Sequence, residues 1–482
     1  MTTTVIKNAA WDAAFDPTRG EHVYLRDADV VFAGDRIVHV GPDFAGTAEV
    51  EIDGRRRFVM PGLVNVHSHP LSEPMNKGFL DELGSPGLYN SSLFEFMPIF
   101  RPDAEGMVAC ARTALAELLM SGVTTLVDLS VPYEGWIDTL AASGIRGVAA
   151  PMYRSARWFT RNGHLVEYEW DEAAGRRAMD DALAIVDGLA DHPSGRLSGM
   201  IAPSQIDTCT GELIRDSYEA ARERGLVMQI HAAQSVVEFH ELTRRLGLTA
   251  VQWLDRLGVL GEDTILGHGI FLDHHSSTHW PRTHDFARVI ETGTAVAHCP
   301  TVFQRRGITL QTLGRYLRDG ARLGVGTDTY PHNMLEELRT ALYLSRVVSR
   351  DVFDLRTRDV FAAATLGGAD LLKRDDIGRL TQGAKADLVA VDLDTPAMHP
   401  LRDPLKSLVY AAAERAVRDV WVGGQQVVAD GRCLTIDYAE AAHAVTEAQR
   451  RAEALVPERD WAGRDHWTIA EPVLPFAEVG GG

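Results

Sequence analysis

The sequence predicts an α/β fold: a (β/α)8 TIM-like barrel with a small β-sandwich domain built from both chain ends. Three observations lead there. Between about residues 60 and 350, short β-branched and apolar runs alternate with longer segments of helical spacing, the layout of βα units repeated around a parallel sheet. Several of these runs end in a residue able to bind a metal or move a proton, and barrels of this type carry their chemistry at the C-terminal ends of their strands. The flanks instead hold Gly-Asp turns between short alternating runs, the pattern of antiparallel β structure.

Taken in order, residues 1–59 form the first part of the small β domain, with "DADVVFAGDRIVHVGPD" as its clearest stretch. Residues 60–377 form the barrel. Its strands are expected at Leu63 to His67, Val123 to Asp128, Gly147 to Met152, Leu197 to Pro203, Leu226 to His231, Thr264 to His268, Thr294 to His298 and Leu323 to Asp328. Helical spacing fills Met107 to Met120, Ala173 to Leu189, Leu213 to Arg224, Val236 to Leu246 and Met334 to Val348. Residues 378–435, with "GRLTQGAKADLVAVDLD" and "DVWVGGQQVVADGR", return to the small domain. Residues 436–482 supply a C-terminal helix, Tyr438 to Ala454, and a tail whose closing "AEVGGG" reads as loose.

Composition narrows the function. A chain of 482 residues with 45% hydrophobic and 24% charged residues has ample material for a core and no low-complexity tract. A formal net charge of -19, with Lys and Arg scattered, opposes binding to a phosphate backbone, so no nucleic acid partner is expected. No membrane span or secretion signal is read, and Cys110, Cys209, Cys299 and Cys433 lie too far apart for a CxxC pair. Free thiols and a cytoplasmic setting follow as expectations.

The chemistry starts at "LVNVHSHP". Side chains at i and i+2 of a strand project together, so His67 and His69 can reach one site. Neutral imidazole is the commonest zinc ligand, and a catalytic site supplies about three ligands while leaving a position for water. "LVMQIHAAQ" adds His231, "TILGHG" adds His268 and "LGVGTDT" adds Asp328, at the ends of the fifth, sixth and eighth strands.

With "PGLVNVHSH", "GVTTLVD", "IHAAQ", "GHG", "VAHCP", "GVGTD", "GGADLL" and "GAKADLVAVD" in this order, the chain resembles the amidohydrolase superfamily. The similar branch holds cytosine deaminase, guanine deaminase and the triazine chlorohydrolases. The resemblance implies that His67, His69, His231 and Asp328 ligate one divalent metal ion, zinc in the first instance, with iron, cobalt and manganese compatible with the same donors. It implies that His268 steadies the attacking water and that Asp328 moves its proton, and it implies a homo-oligomer. "SGMIAP" carries no lysine on the fourth strand, which favours a mononuclear site.

Two departures shape the substrate expectation. Deaminases of this branch carry glutamate where Gln234 stands, and an amide has no proton to shuttle near neutral pH. "HCPTVFQRRG" replaces the usual Ser-Asn with Phe303, Gln304, Arg305 and Arg306, changing the wall of the site, while His298 reads as a structural hydrogen-bonding residue. The loop from Leu71 to Phe100, with Phe79, Leu88, Tyr89, Phe94, Phe96 and Phe100, and the loop holding Trp158 and Phe159, offer an apolar roof. Gln234, Trp158 and Phe303 are therefore the candidate substrate contacts. The sequence alone favours hydrolysis of an amide, carbamate or urea bond in a small, neutral, partly apolar molecule. Deamination or dechlorination of a nitrogen heterocycle is the alternative, and a non-catalytic scaffold is the rival from another class.

Overall fold

The computed structural model describes residues 2–477. One parallel sheet joins Leu63–Ser68, Val123–Ser130, Arg146–Tyr153, Leu197–Gly199 and Ala202–Pro203; a second joins Met228–Ala232, Thr264–His268, Ala295–His298 and Arg322–Val325. Isolated parallel bridges link the two at both edges, Ile201 with Met228 and Gln205 with His231 on one side, Ser68 with Asp328 on the other. The result is of TIM-barrel type. Most of these strands are buried along their whole length, as a parallel sheet covered by helices requires.

The covering helices begin where the sequence provides oxygen caps. Asp103, Asp171, Thr210, Ser235 and Thr249 each accept a backbone N–H from the first turn that follows, and Thr249 forms a reciprocal capping box with Gln252. Gly247, Gly258 and Gly293 end three helices in the left-handed region, with φ of 69°, 73° and 70°.

Two strand expectations need correction. The fourth strand is broken into Leu197–Gly199 and Ala202–Pro203, because Met200 and Ile201 turn to different partners: Met200 N–H donates to Ala149 O and Ile201 N–H to Val227 O. The eighth ends at Val325, not at Asp328. Beyond it the chain turns in, and Asp328 sits at φ 58°.

The two chain ends build β structure together. A seven-stranded sheet runs through Arg432–Cys433, Gln425–Ala429, Val417–Val422, Leu388–Asp392, Arg57–Pro61, Trp11–Asp16 and Glu21–Leu25. A four-stranded sheet holds Arg36–Gly41, Ala28–Ala33, Thr3–Ala9 and Val50–Asp53. Ile6, Val30, Phe32 and Ile37 from the smaller sheet share one apolar cluster with Val59, Leu388, Ala390 and Trp421 from the larger. Arg146, at the start of the third barrel strand, donates two hydrogen bonds of 2.7 and 2.9 Å to Asp387, tying this β structure to the barrel.

The helix Tyr438–Ala454 lies as expected. Gln449 on it donates to the backbone oxygens of Met75 and Lys77, and Arg451 to Asp103, so the C-terminal region braces the loop after the first barrel strand. The last residues of the "AEVGGG" tail lie outside the described residues. All four cysteines are unpaired, and no helix among the described residues is long and apolar enough to cross a membrane.

Candidate active site

The seam between the first and eighth strands sets the site. Asp328 N–H donates to His67 O and His69 N–H donates to Asp328 O, both at 2.9 Å. Gly326 permits this approach, since a Cβ there would fall 2.7 Å from His67 O. Asn65 reinforces it by donating through Nδ2 to Thr327 Oγ1 at 2.9 Å and accepting His67 N–H at 3.1 Å. Gly267 clears room for the His67 ring, which a Cβ would meet at 2.8 Å.

Three imidazoles are fixed through one nitrogen each. His69 Nδ1 lies 2.7 Å from Leu129 O, and His231 Nδ1 lies 2.7 Å from Ser204 O. Those carbonyls only accept, so each Nδ1 carries the proton and each Nε2 keeps its lone pair. His67 Nδ1 lies 2.5 Å from Gln229 Oε1, whose own Nε2 donates to Val66 O at 3.1 Å, fixing the amide so that it accepts from His67.

The freed nitrogens converge with Asp328. His69 Nε2 and His231 Nε2 are 3.1 Å apart; Asp328 Oδ1 lies 3.2 Å from His69 Nε2 and 3.4 Å from His67 Nε2, and Asp328 Oδ2 lies 3.8 Å from His268 Nε2. His67 Nε2 is buried without a hydrogen-bond partner among the described residues. Two overlapping sets, His67 with His231 and His268, and His67 with His69 and Asp328, are close enough to hold a cation. Burial, then the neighbouring imidazoles, holds His231 well below its ordinary pKa; burial likewise holds His268 down against the pull of Asp328. Burial works to raise Asp328, but the surrounding histidines outweigh it and keep the carboxylate ionised. Neutral imidazoles around a carboxylate are the donor set a divalent transition metal takes.

A cavity of about 640 Å³ opens over this cluster, lined by His69, His231, His268 and Asp328 and also by Gln234, Trp158 and Phe303. Phe303 sits edge-on to His268 with centroids 4.7 Å apart, and Trp158 meets Phe94 edge-on at 5.1 Å. Gln234 is buried and its Nε2 has no partner among the described residues. Leu88, Tyr89, Phe94, Phe100 and Phe159 also face the cavity. Phe79 and Phe96 do not; they join an apolar cluster with Met75 and Val456 beneath the loop. His298 is buried and outside the donor sets, and its Nδ1 has no hydrogen-bond partner among the described residues.

Several lining residues escape the sequence reading. Glu73 stands only four positions after His69 and is 2% exposed; an acid inside so apolar a loop was the available signal. Arg154 is another such residue, whereas Arg306 was expected at the wall of the site; both line the cavity, and neither guanidinium is hydrogen-bonded or ion-paired among the described residues. Arg459 and Trp461 arrive from the C-terminal region, which no local pattern connects with the barrel mouth. Trp461 Nε1 and Arg464 Nη2 each donate to Glu95 Oε1 at 2.8 Å, clamping the roof loop.

The model of the family described as "Amidohydrolase family" matches residues 58–427. The chain belongs to the amidohydrolase family. It is thus a hydrolase acting on carbon–nitrogen bonds. Among its curated relatives, this amidohydrolase is 29% identical to the 5-methylthioadenosine/S-adenosylhomocysteine deaminase of Natronomonas pharaonis, across 90% of this chain and 95% of that one. It is 27% identical to the 5'-deoxyadenosine deaminase of Methanosarcina mazei, across 95% and 99%. Its fold is similar to that of an adenosine deaminase from Xanthomonas campestris with bound zinc, at a TM-score of 0.78, 24% identity and coverage of 94% and 99%. The atrazine chlorohydrolase of Arthrobacter aurescens complexed with zinc superposes at a TM-score of 0.75, with 21% identity and coverage of 92% and 100%.

Proposed function

We propose that this amidohydrolase is a zinc-dependent deaminase that replaces the amino group of an adenine-type nucleoside by oxygen and releases ammonia. The observation that carries the proposal is that relatives matching nearly the full length of the chain are named as deaminases of 5'-modified adenosines. That outweighs the amide, carbamate and urea reading, which rested on Gln234. The convergence of His67, His69, His231 and Asp328 argues against a non-catalytic scaffold.

When bound by these four residues, the ion supplies a water whose pKa is lowered towards neutrality. The chain's own groups do the rest. Asp328, held ionised, accepts a proton from the attacking water and later returns it to the departing amine. His268, kept neutral by burial, hydrogen-bonds the oxygen as charge develops on it. Phe303, fixed edge-on against His268, and Trp158 bound the apolar walls, exclude solvent and hold a planar base. Gln234 reads the base by hydrogen bonds without moving a proton. Arg154 and Arg306 leave two cationic heads for an anionic substituent, which favours a substrate bearing a carboxylate.

The test is ammonia release by zinc-loaded protein from 5'-deoxyadenosine, 5'-methylthioadenosine and S-adenosylhomocysteine, beside amine release from anilides and phenylureas. Ammonia from the nucleosides is expected, fastest from the carboxylate-bearing one. Amine release alone overturns the proposal. A cytoplasmic homo-oligomer belongs to the same proposal, supported by the exposed apolar face of Tyr343, Val347, Val352 and Phe353, and size-exclusion chromatography checks the assembly.

A further inference from the structure

We propose that Glu73 is the acid that gives a proton to the substrate nitrogen, the task that Gln234 cannot perform. The inference rests on the hydrolytic reading above and deepens it.

Three carboxyl side chains line the cavity among the described residues: Asp328, Glu95 and Glu73. Asp328 sits within the histidine cluster and is engaged there. Glu95 is fully occupied, accepting from Ser85, Trp461 and Arg464, and these donors hold it ionised although burial opposes them. Glu73 is different. It accepts a single hydrogen bond, from Asn76 Nδ2 to Oε2 at 3.2 Å, and its other oxygen has no partner among the described residues. Glu238, four residues beyond Gln234, is no substitute: it lies outside the cavity, and its oxygens accept the backbone N–H groups of Ala233 and Gln234.

The surroundings suit a carboxyl that cycles between its two forms. Burial, followed by the negative charge of Asp328, pushes Glu73 up to about 7, while His69, Asn76 and Arg305 pull the other way. Arg306, Tyr330 and Cys110 are the other titratable groups whose charge it feels or influences. An acid whose pKa lies near the working pH is the most effective proton donor.

For deamination the atoms balance as follows. The oxygen of water bonds to the ring carbon; one water proton goes to Asp328, and the Glu73 proton goes to the adjacent ring nitrogen. The carbon–nitrogen bond then breaks as Asp328 returns its proton to the amine, which leaves as ammonia. The remaining hydroxyl proton passes to Glu73 as the carbonyl forms, restoring both carboxyls.

The experiment compares zinc-loaded wild type with Glu73→Gln, Glu73→Asp and the double variant Glu73→Gln/Gln234→Glu, with zinc content checked in each. Glu73→Gln should lower kcat by about 100-fold with KM little changed. Glu73→Asp should recover part of the loss, and an acid at 234 in the double variant should recover about tenfold or more. An infrared difference between wild type and Glu73→Gln near pH 6 should show a protonated-carboxyl band that disappears by about pH 8. A kcat for Glu73→Gln within about threefold of wild type overturns the assignment, and so does a missing band. Wild type that hydrolyses only anilides and ureas sinks the deaminase proposal alone, because the variants are then compared on that reaction. The band needs no substrate, so it decides the matter even when the whole panel is silent.

Discussion

Gln229→Met isolates what orients the His67 ring. Gln229 is 1% exposed, accepts from His67 Nδ1 and donates to Val66 O. Methionine keeps the volume and removes both hydrogen bonds, leaving the His67 ring free to rotate and its Nδ1 proton unpaired. Partners of this kind are worth about 10- to 100-fold in metal affinity, or about 1.4 to 2.8 kcal/mol. The unpaired Val66 carbonyl and His67 Nδ1–H should each cost the metal-free fold about 1 to 3 kcal/mol in addition. Competition against a chromogenic zinc chelator reads the first effect, and thermal unfolding of metal-free protein reads the second. Zinc affinity within about threefold of wild type, alongside a clear loss of metal-free stability, would show that Gln229 only fills space and would refute the orientation argument.

Other perturbations test separate links. Arg146→Met strands the Asp387 carboxylate in the interior and should destabilise by about 3 to 5 kcal/mol in urea unfolding, most of it recovered by Arg146→Met/Asp387→Leu. Asp12 is fully buried, both its oxygens lack a hydrogen-bond partner among the described residues, and burial, then Asp29, raises it to about 8. Its folded pKa lies above its unfolded one, so the native state holds the proton more tightly. Stability should therefore fall as pH rises from about 4 to 8, by up to about 1.4 kcal/mol per unit, and Asp12→Asn should flatten that slope in unfolding series at fixed salt. Arg464→Ala should loosen the Glu95 clamp and raise KM by about tenfold with kcat nearly unchanged, measured by steady-state kinetics. Dialysis against a chelator should abolish turnover, and one equivalent of zinc per chain should restore it.

Much of the site was legible because it is written in short-range patterns. His67 and His69 obey the two-residue period of a strand, and His231 and His268 end apolar runs that could be little else than barrel strands. The helical spacing of Ala173 to Leu189, Val236 to Leu246 and Tyr438 to Ala454 is likewise local, and helices stand at Glu172–Gly188, Val236–Leu246 and Tyr438–Ala454. What stayed hidden depends on contacts between distant segments. The eighth strand was extended to Asp328 because "LGVGTD" looks continuous, whereas the close approach of Gly326 to His67 turns the chain earlier. Trp461 and Arg459 reach the cavity only because the C-terminal helix packs beside Asp103 and Met75. Gln234 alone carried the amide, carbamate and urea expectation, and one missing acid at that position says nothing of an acid on another loop.

The stitching of Asn65 to Thr327, residues 262 positions apart, means that the donor cluster can be complete only late in the chain's synthesis. The first two hundred residues supply only His67, on the first barrel strand, and His69, just past its end. The full set exists only after residue 328 has left the ribosome and the last strand has docked on the first. A polypeptide that stops short of residue 328 lacks both the Asn65–Thr327 contact and the carboxylate that the seam brings beside His67 and His69.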